Sequence, residues 1–294
     1  MQQLLKNIGF IGLGNMGSKM AINLSKAGYK VQGYDINENI MTSLEEFGIE
    51  KSISLTKFAI DKDIIITMLP NGENVKEVIL QIKSDIKENC IVLDSSTIDV
   101  NTAIRLNEIL KKENINFLDG PVSGGTIGAE NGTLTFMVGG DLVNFETITP
   151  ILNIMGSKSV YCGSPGSGQA VKLCNNMLLA ITMIGVGETF NMARNLKIDL
   201  NKLYEVISTA TGSCWAVNKY CPIPGIGPKS PSDNNYEGGF SAKLMSKDLK
   251  LAVNAGKESK SKIEFGIIAE KLFTKMAHGE NGSKDFSRII KEIS

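Results

Sequence analysis

The sequence predicts an α/β fold, a doubly wound parallel sheet followed by an all-helical C-terminal domain. Three observations carry this. Short runs rich in Ile, Val, Leu and Phe alternate with helix-length segments through the first half. A glycine- and serine-rich stretch, GSPGSG at 163–168, then punctuates the chain. Beyond it no run reads as a strand. At 294 residues the chain is long enough for two domains, placed here at 1–164 and 165–294.

The elements follow in order. NIGFIG (7–12), KVQGYD (30–35), DIIITML (63–69), CIVLDSS (90–96) and INFLDG (115–120) read as strands. They are dense in apolar residues without strict alternation, the pattern of strands covered on both faces. Segments 16–27, 37–47, 73–83 and 99–113 space their apolar residues as helices do. TLTFMVGG (133–140) and KSVYCG (158–163) add two strands around a helix near 142–154. Past the punctuation, 168–196, 200–210, 241–257 and 262–277 read as helices. The most apolar run, NMLLAITMIGVG (176–187), is too short to span a bilayer and reads as part of a buried helix.

Composition removes several classes of function. Lys plus Arg and Asp plus Glu both number 31, so no net field points to nucleic acid or an anionic membrane. The five cysteines (Cys90, Cys162, Cys174, Cys214, Cys221) are odd in number, scattered and without a CxxC pair. That pattern favours reduced thiols over a disulfide scaffold or zinc site. The single histidine, His278, excludes a His-rich metal centre, and no metal is expected. MQQLLKNIGFIGLG shows neither a secretory nor a transit pattern, so the expected compartment is the cytoplasm.

The chemistry begins at GFIGLGNMG, where Gly12, Gly14 and Gly17 form G-x-G-x-x-G between a strand and a helix. In a Rossmann-type unit Gly12 permits the tight turn, Gly14 lets the backbone approach a pyrophosphate, and Gly17 lets helix and strand pack closely. The helix N-terminus adds N–H groups and partial positive charge for the phosphates. Asp35 ends the second strand about 20 residues on, where a carboxylate binds the adenosine ribose 2′-OH. No arginine follows in DINENI to accept a 2′-phosphate, so the expected cofactor is NAD rather than NADP. A plain glycine turn with an N-capping aspartate is the bland alternative.

GSGQAVKLCNNM (166–177) places Lys172, Asn175 and Asn176 at i, i+3 and i+4, on one helical face of an apolar stretch. Buried polar groups cost free energy unless paired or used, so the face is either a working site or the wet edge of a bundle. With one histidine, near the C-terminus, a lysine is the best candidate to handle a proton. Lys172 could instead snorkel to the surface. A lysine works as a base near neutral pH where its surroundings disfavour the charged form, and Val171, Leu173, Cys174 and Met177 fit that need.

Four motifs in order, GFIGLGNMG, DGPVSGG (119–125), GQAVKLCNN (168–176) and KLMSKDLKLA (243–252), resemble those of the β-hydroxyacid dehydrogenase family. CWAVNKYCPIPG (214–225) and NNYEGGF (234–240) are most similar to its 3-hydroxyisobutyrate dehydrogenase branch. The resemblance implies NAD-dependent oxidation of 3-hydroxyisobutyrate to methylmalonate semialdehyde, a step of valine breakdown. It also implies Lys172 as general acid/base and Asn176 as a substrate contact. Ser123, Gly124 and Gly125 would form the loop that holds the substrate carboxylate. Contacts to the cofactor fall on Gly12, Leu13, Gly14, Asn15, Met16 and Gly17, on Asp35, on Met68, Leu69 and Pro70, and on Asn74, Thr97 and Lys247. Lys247 with Asp248 would otherwise read as a solvated surface pair. Trp215 and Phe240 line the substrate pocket or belong to the core; the sequence weighs both equally. The family is commonly dimeric or tetrameric, so a homo-oligomer is expected. Two other readings stay open: a sister enzyme acting on tartronate semialdehyde, and a non-catalytic dinucleotide-binding protein on the same scaffold.

Overall fold

The apolar runs of the first half become strands buried on both faces in the computed structural model, which describes residues 7–293. The expectation about an N-terminal leader falls partly on residues 1–6, outside the described residues. The first unit, Met1–Lys172, contains β1 (Asn7–Ile11), α1 (Gly17–Lys26), β2 (Lys30–Tyr34), α2 (Glu38–Leu44) and β3 (Ile49–Lys51). It continues with α3 (Leu55–Phe58), β4 (Ile64–Thr67), α4 (Gly72–Ile82), β5 (Ile91–Asp94), α5 (Val100–Lys111) and β6 (Asn116–Asp119). Then come β7 (Val122–Ser123), α6 (Gly125–Glu130), β8 (Leu134–Gly139), α7 (Leu142–Met155) and β9 (Gly156–Gly163).

These strands form one sheet in the order β3-β2-β1-β4-β5-β6-β8, with β7 and β9 both pairing β8. Pairing is parallel from β3 through β6, and β9 runs parallel to β8, as the βαβ rhythm requires. Within this parallel-dominated sheet one strand departs: β8 runs antiparallel to β6 and β7. No crossover helix separates β7 from β6, and the short α6 turns the chain back, so a parallel return is not available. The missing alternation of apolar residues has a direct cause. Ile64, Ile66, Leu93 and Leu118 enter one core cluster, and Ile65, Val92 and Phe117 enter the other, on the opposite face of the sheet.

The chain order reverses at β1, which pairs β2 on one side and β4 on the other. In such sheets ligands bind outside the carboxyl ends of the strands at this point. The strand ends there are in register: Ile11 beside Thr67, Thr67 beside Asp94, Asp94 beside Asp119.

The 29-residue helix α8 (Ser167–Asn195) follows. The division between compact units falls inside it, at Lys172/Leu173, later than the composition change at 164. The physical reason is hydrogen bonding: Gly166 and Gln169 donate their N–H groups to Asp119 of β6, which ties the first turn to the sheet. The second unit holds the rest of α8, α9 (Leu200–Ile207), α10 (Trp215–Asn218), α11 (Ala242–Glu258) and α12 (Glu264–His278). Its core gathers Phe190, Tyr236, Met245, Leu249, Phe273 and Phe286. By length and composition α8 could cross a membrane, since the apolar run read as too short lies inside a longer helix; 44% of its most apolar window is buried in the structure.

Candidate active site

The cofactor loop is built by the close approach of two strand ends. Gly12 donates its N–H to Tyr34 and Met68 donates to Ile11. A Cβ on Gly12, at φ +89°, would stand 2.3 Å from the Met68 carbonyl oxygen, and one on Gly17 would stand 1.9 Å from that of Gly12. Both positions therefore admit glycine alone. At Gly14 a Cβ would meet nothing within 4 Å, so the backbone there is open to a ligand. Gly14 and Asn15 are exposed, Met16 half-buried and Leu13 buried against the core. The α1 N-terminus that follows has no side-chain cap, which leaves its dipole for an anion. Asp35 accepts the Leu13 N–H at 2.7 Å on one carboxylate oxygen and the Asn37 N–H at 2.8 Å on the other. Tight at Gly12 and Gly17, open at Gly14 and acidic beside Leu13, the loop fits a dinucleotide.

The neighbouring loops meet this one along the sheet edge. Met68 and Leu69 are half-buried, Pro70 is exposed, and Leu69 donates its N–H to Ser96 Oγ at 2.8 Å. Asn71 caps α4 by accepting the Asn74 N–H, which fixes Asn74 in the first turn, half-buried. Thr97 is half-buried between Ser96 and Ile98, both buried.

Two buried carboxylates brace this edge, and the sequence reading missed both. Asp94 Oδ1 accepts from Thr67 Oγ1 at 2.8 Å and from the Ser96 N–H at 3.1 Å. Asp119 accepts from Gly166 and Gln169 at 2.8 and 2.9 Å. Despite these bonds, loss of solvent wins and holds each carboxyl up at about 6. The sign for stability follows. Between the ordinary value of 3.8 and about 6 the folded chain binds more protons than the unfolded one, so these two groups favour folding more as pH falls through that window. Asp94→Asn removes one of them. In urea unfolding, the variant's stability relative to wild type is expected to be most favourable above pH 6 and to fall below it; a pH-independent difference would contradict this.

Ser123 ends β7, half-buried, and Gly124 and Gly125 turn the chain into α6, both exposed. Gly124 sits at φ +136° and Gly125 at +63°, with nothing within 4 Å of a Cβ on Gly125. The turn is thus a backbone conformation that favours glycine and leaves open space at its tip.

On α8 the buried stripe is Gln169, Lys172, Leu173, Asn176, Ala180 and Met183. This refines the expected polar face. Lys172 is 7% exposed and Asn176 2%, whereas Asn175 lies outside and donates its amide to Asn176 Oδ1 at 3.0 Å. Of the apolar neighbours, Leu173 is buried, Met177 half-buried, and Val171 and Cys174 exposed.

In the second unit Asn176 Nδ2 donates to Asp248 Oδ2 at 2.6 Å, and Asp248 Oδ1 pairs with Lys247 Nζ at 3.3 Å. Asp248 is 2% exposed, so the Lys247–Asp248 pair is not a solvated surface pair. The signal in the sequence was Asn176 itself, since a buried amide needs an acceptor. Trp215 is half exposed and stacks on Tyr220 with ring centroids 4.9 Å apart; Tyr220 stacks in turn on Phe286 and donates to buried Asp285 at 2.9 Å. Phe240 packs edge-on against Phe286 and is half-buried. Of these two residues, Phe240 packs at the rim of the second unit's core and Trp215 is half exposed.

Residues 7–163 match the family described as the NAD binding domain of 6-phosphogluconate dehydrogenase. Residues 166–293 match that described as NAD-binding of NADP-dependent 3-hydroxyisobutyrate dehydrogenase. The mitochondrial 3-hydroxyisobutyrate dehydrogenase of Drosophila melanogaster is 43% identical over 97% of this chain and 88% of its own length. A probable 3-hydroxyisobutyrate dehydrogenase of Mycobacterium bovis is 38% identical over 98% of both. The solved structure of the Mycobacterium tuberculosis 3-hydroxyisobutyrate dehydrogenase with L-serine superposes with a TM-score of 0.95 at 38% identity, covering 99% of each chain. These matches and the loop geometry agree on a nicotinamide dinucleotide as the cofactor.

Proposed function

This chain belongs to the 3-hydroxyisobutyrate dehydrogenase family of hydroxyacid dehydrogenases, and on that premise we propose that it oxidises L-3-hydroxyisobutyrate to methylmalonate semialdehyde with NAD, as in valine breakdown. The observation that carries the reading is the buried pair Lys172 and Asn176, one helical turn apart, with Asn176 held by Asp248.

In the oxidation direction, Lys172 accepts the proton of the C3 hydroxyl; in reduction it returns that proton. The Gly12–Gly17 loop and Asp35 would hold the dinucleotide, which would supply the hydride acceptor for the C3 hydrogen. Asn176 orients the hydroxyl without adding charge, and its amide is fixed because Asp248 takes one of its donors. Ser123, Gly124 and Gly125 hold the substrate carboxylate through backbone N–H groups and the serine hydroxyl. Trp215 offers its exposed ring face to the branching methyl, a contact worth about 1 kcal/mol. L-Serine keeps the carboxylate and primary alcohol, and the M. tuberculosis relative was solved with it, so slow L-serine turnover is part of the proposal. A homodimer or homotetramer in the cytoplasm completes it.

NAD preference rests on Asp35. Its carboxylate lies beside the Leu13 N–H, where it would bond the ribose hydroxyl and repel a 2′-phosphate. Asp35→Ala is expected to weaken NAD binding and narrow the gap to NADP, read from kcat/KM with each cofactor. A wild-type chain that already prefers NADP would contradict this.

The proposal is tested by following reduced-nicotinamide formation with a panel of small hydroxyacids. Highest kcat/KM on 3-hydroxyisobutyrate supports it, and highest kcat/KM on a tartronate-type substrate moves the chain to the sister activity. Absence of turnover with every member would indicate a dinucleotide-binding protein without catalysis.

A further inference from the structure

We propose that Gln169 is a positioning residue for hydride transfer, its side-chain amide holding the backbone on both sides of Thr97 in register with the turn of α8 that carries Lys172. The inference rests on the roles given to Lys172 and Thr97 above.

Gln169 is fully buried. Its Oε1 accepts the Ile98 N–H at 3.1 Å and its Nε2 donates to the Ser96 carbonyl at 2.8 Å. These two backbone groups flank Thr97 and belong to a buried segment beyond the end of β5. One amide side chain thus bonds them as a neighbouring strand would, and without it both would need other partners. Gln169 is itself pinned from the other side, because its own N–H donates to Asp119 at the end of β6. The same segment reaches the 68–70 loop through Ser96, whose hydroxyl accepts the Leu69 N–H, and returns to Asp94 through its own N–H.

Lys172 lies three residues further along the same buried stripe. A helix is rigid over one turn, so a shift at Gln169 carries to Lys172. The loop that would face the nicotinamide and the helix that carries the base are therefore joined by the neutral side chain of Gln169. Misplacement by about 1 Å can cost on the order of 100-fold in rate, which makes such a joint matter for kcat more than for cofactor binding.

The test uses two variants of the full chain. Gln169→Met keeps the volume and loses both bonds; kcat is expected to fall by about 10–100-fold at every pH, with KM for NAD within about 3-fold of wild type. Gln169→Glu is the more diagnostic. Its neutral carboxyl can donate to Ser96 and accept from Ile98 as the amide does, whereas its ionised form sets an oxygen without a proton against the Ser96 carbonyl. The ratio of its kcat to that of wild type is therefore expected to rise as pH falls. Asp119 and Asp94, on β6 and β5, and Lys172 on the same helix are present in both proteins, so the ratio cancels what they contribute alike to each. Hydrogen exchange at the Ile98 amide, faster in Gln169→Met, reads the clamp without turnover.

Wild-type kcat in both variants would overturn the positioning role, as would equal losses in both with no pH dependence of the ratio. Should Gln169→Met fail to fold, the ratio for Gln169→Glu decides alone. A wild-type chain that turned over no hydroxyacid would overturn the reading of the site and this role together, whereas wild-type turnover with unaffected variants overturns the role alone.

Discussion

Lys172→Ala is expected to lower kcat by about 10²–10⁴-fold, the scale of general acid–base groups, while affinity for reduced cofactor stays near wild type. The lysine lies on the buried stripe of α8 and is 7% exposed. A snorkelling lysine would carry its head to water, and its loss would barely touch the rate. The cofactor loop, by contrast, is built on β1, β2 and β4, with Gly12, Gly17 and Asp35 as its determinants. Removing a side chain from α8 leaves those contacts in place. Steady-state rates and titration of reduced cofactor by fluorescence separate the two effects. Loss of affinity in step with rate would reassign Lys172 to cofactor binding or to structure.

The second large effect concerns the substrate's charge. Methyl 3-hydroxyisobutyrate is expected to have kcat/KM lower than the acid by at least about 100-fold. A turn that aims N–H donors at a carboxylate leaves them poorly paired against an ester, and unpaired donors are what give such sites their discrimination. Gly124 at φ +136° and Gly125 at φ +63° hold the turn in a conformation that a side chain would strain. Gly125→Ala, in open space but at a strained φ, is expected to reduce the preference for acid over ester. An enzyme that turned over both equally would refute the carboxylate cradle.

The two-part fold and the glycine loop are legible in the sequence. The glycine loop announced itself because its chemistry is local: a strand, a turn that admits only glycine, and a helix adjoin in sequence. The buried stripe of α8 was legible through helical spacing, though Asn175 was assigned to it and Gln169 was not. What sequence spacing could not show were partners far along the chain. Asp94 and Asp119 follow apolar runs and look like ordinary strand ends; their burial depends on strand order, which brings Thr67, Asp94 and Asp119 side by side. Asp248 looked solvated because its neighbour is a lysine, and only the packing of α11 turns it toward Asn176. The run 133–140 reads as a strand and is one, β8, but its antiparallel direction is not legible, since pairing direction is set by connection length and not by composition.

The most direct test follows the hydrogen itself. L-3-Hydroxyisobutyrate carrying deuterium at C3 is incubated with the wild-type chain and NAD, and the products are analysed by mass spectrometry. With both C3 hydrogens replaced, the account predicts reduced nicotinamide carrying one deuterium, formed in equal amount with methylmalonate semialdehyde that keeps the other, and both products formed at least about 100-fold more slowly in Lys172→Ala. Unlabelled reduced cofactor, no transfer from this substrate, or undiminished transfer in Lys172→Ala would contradict it.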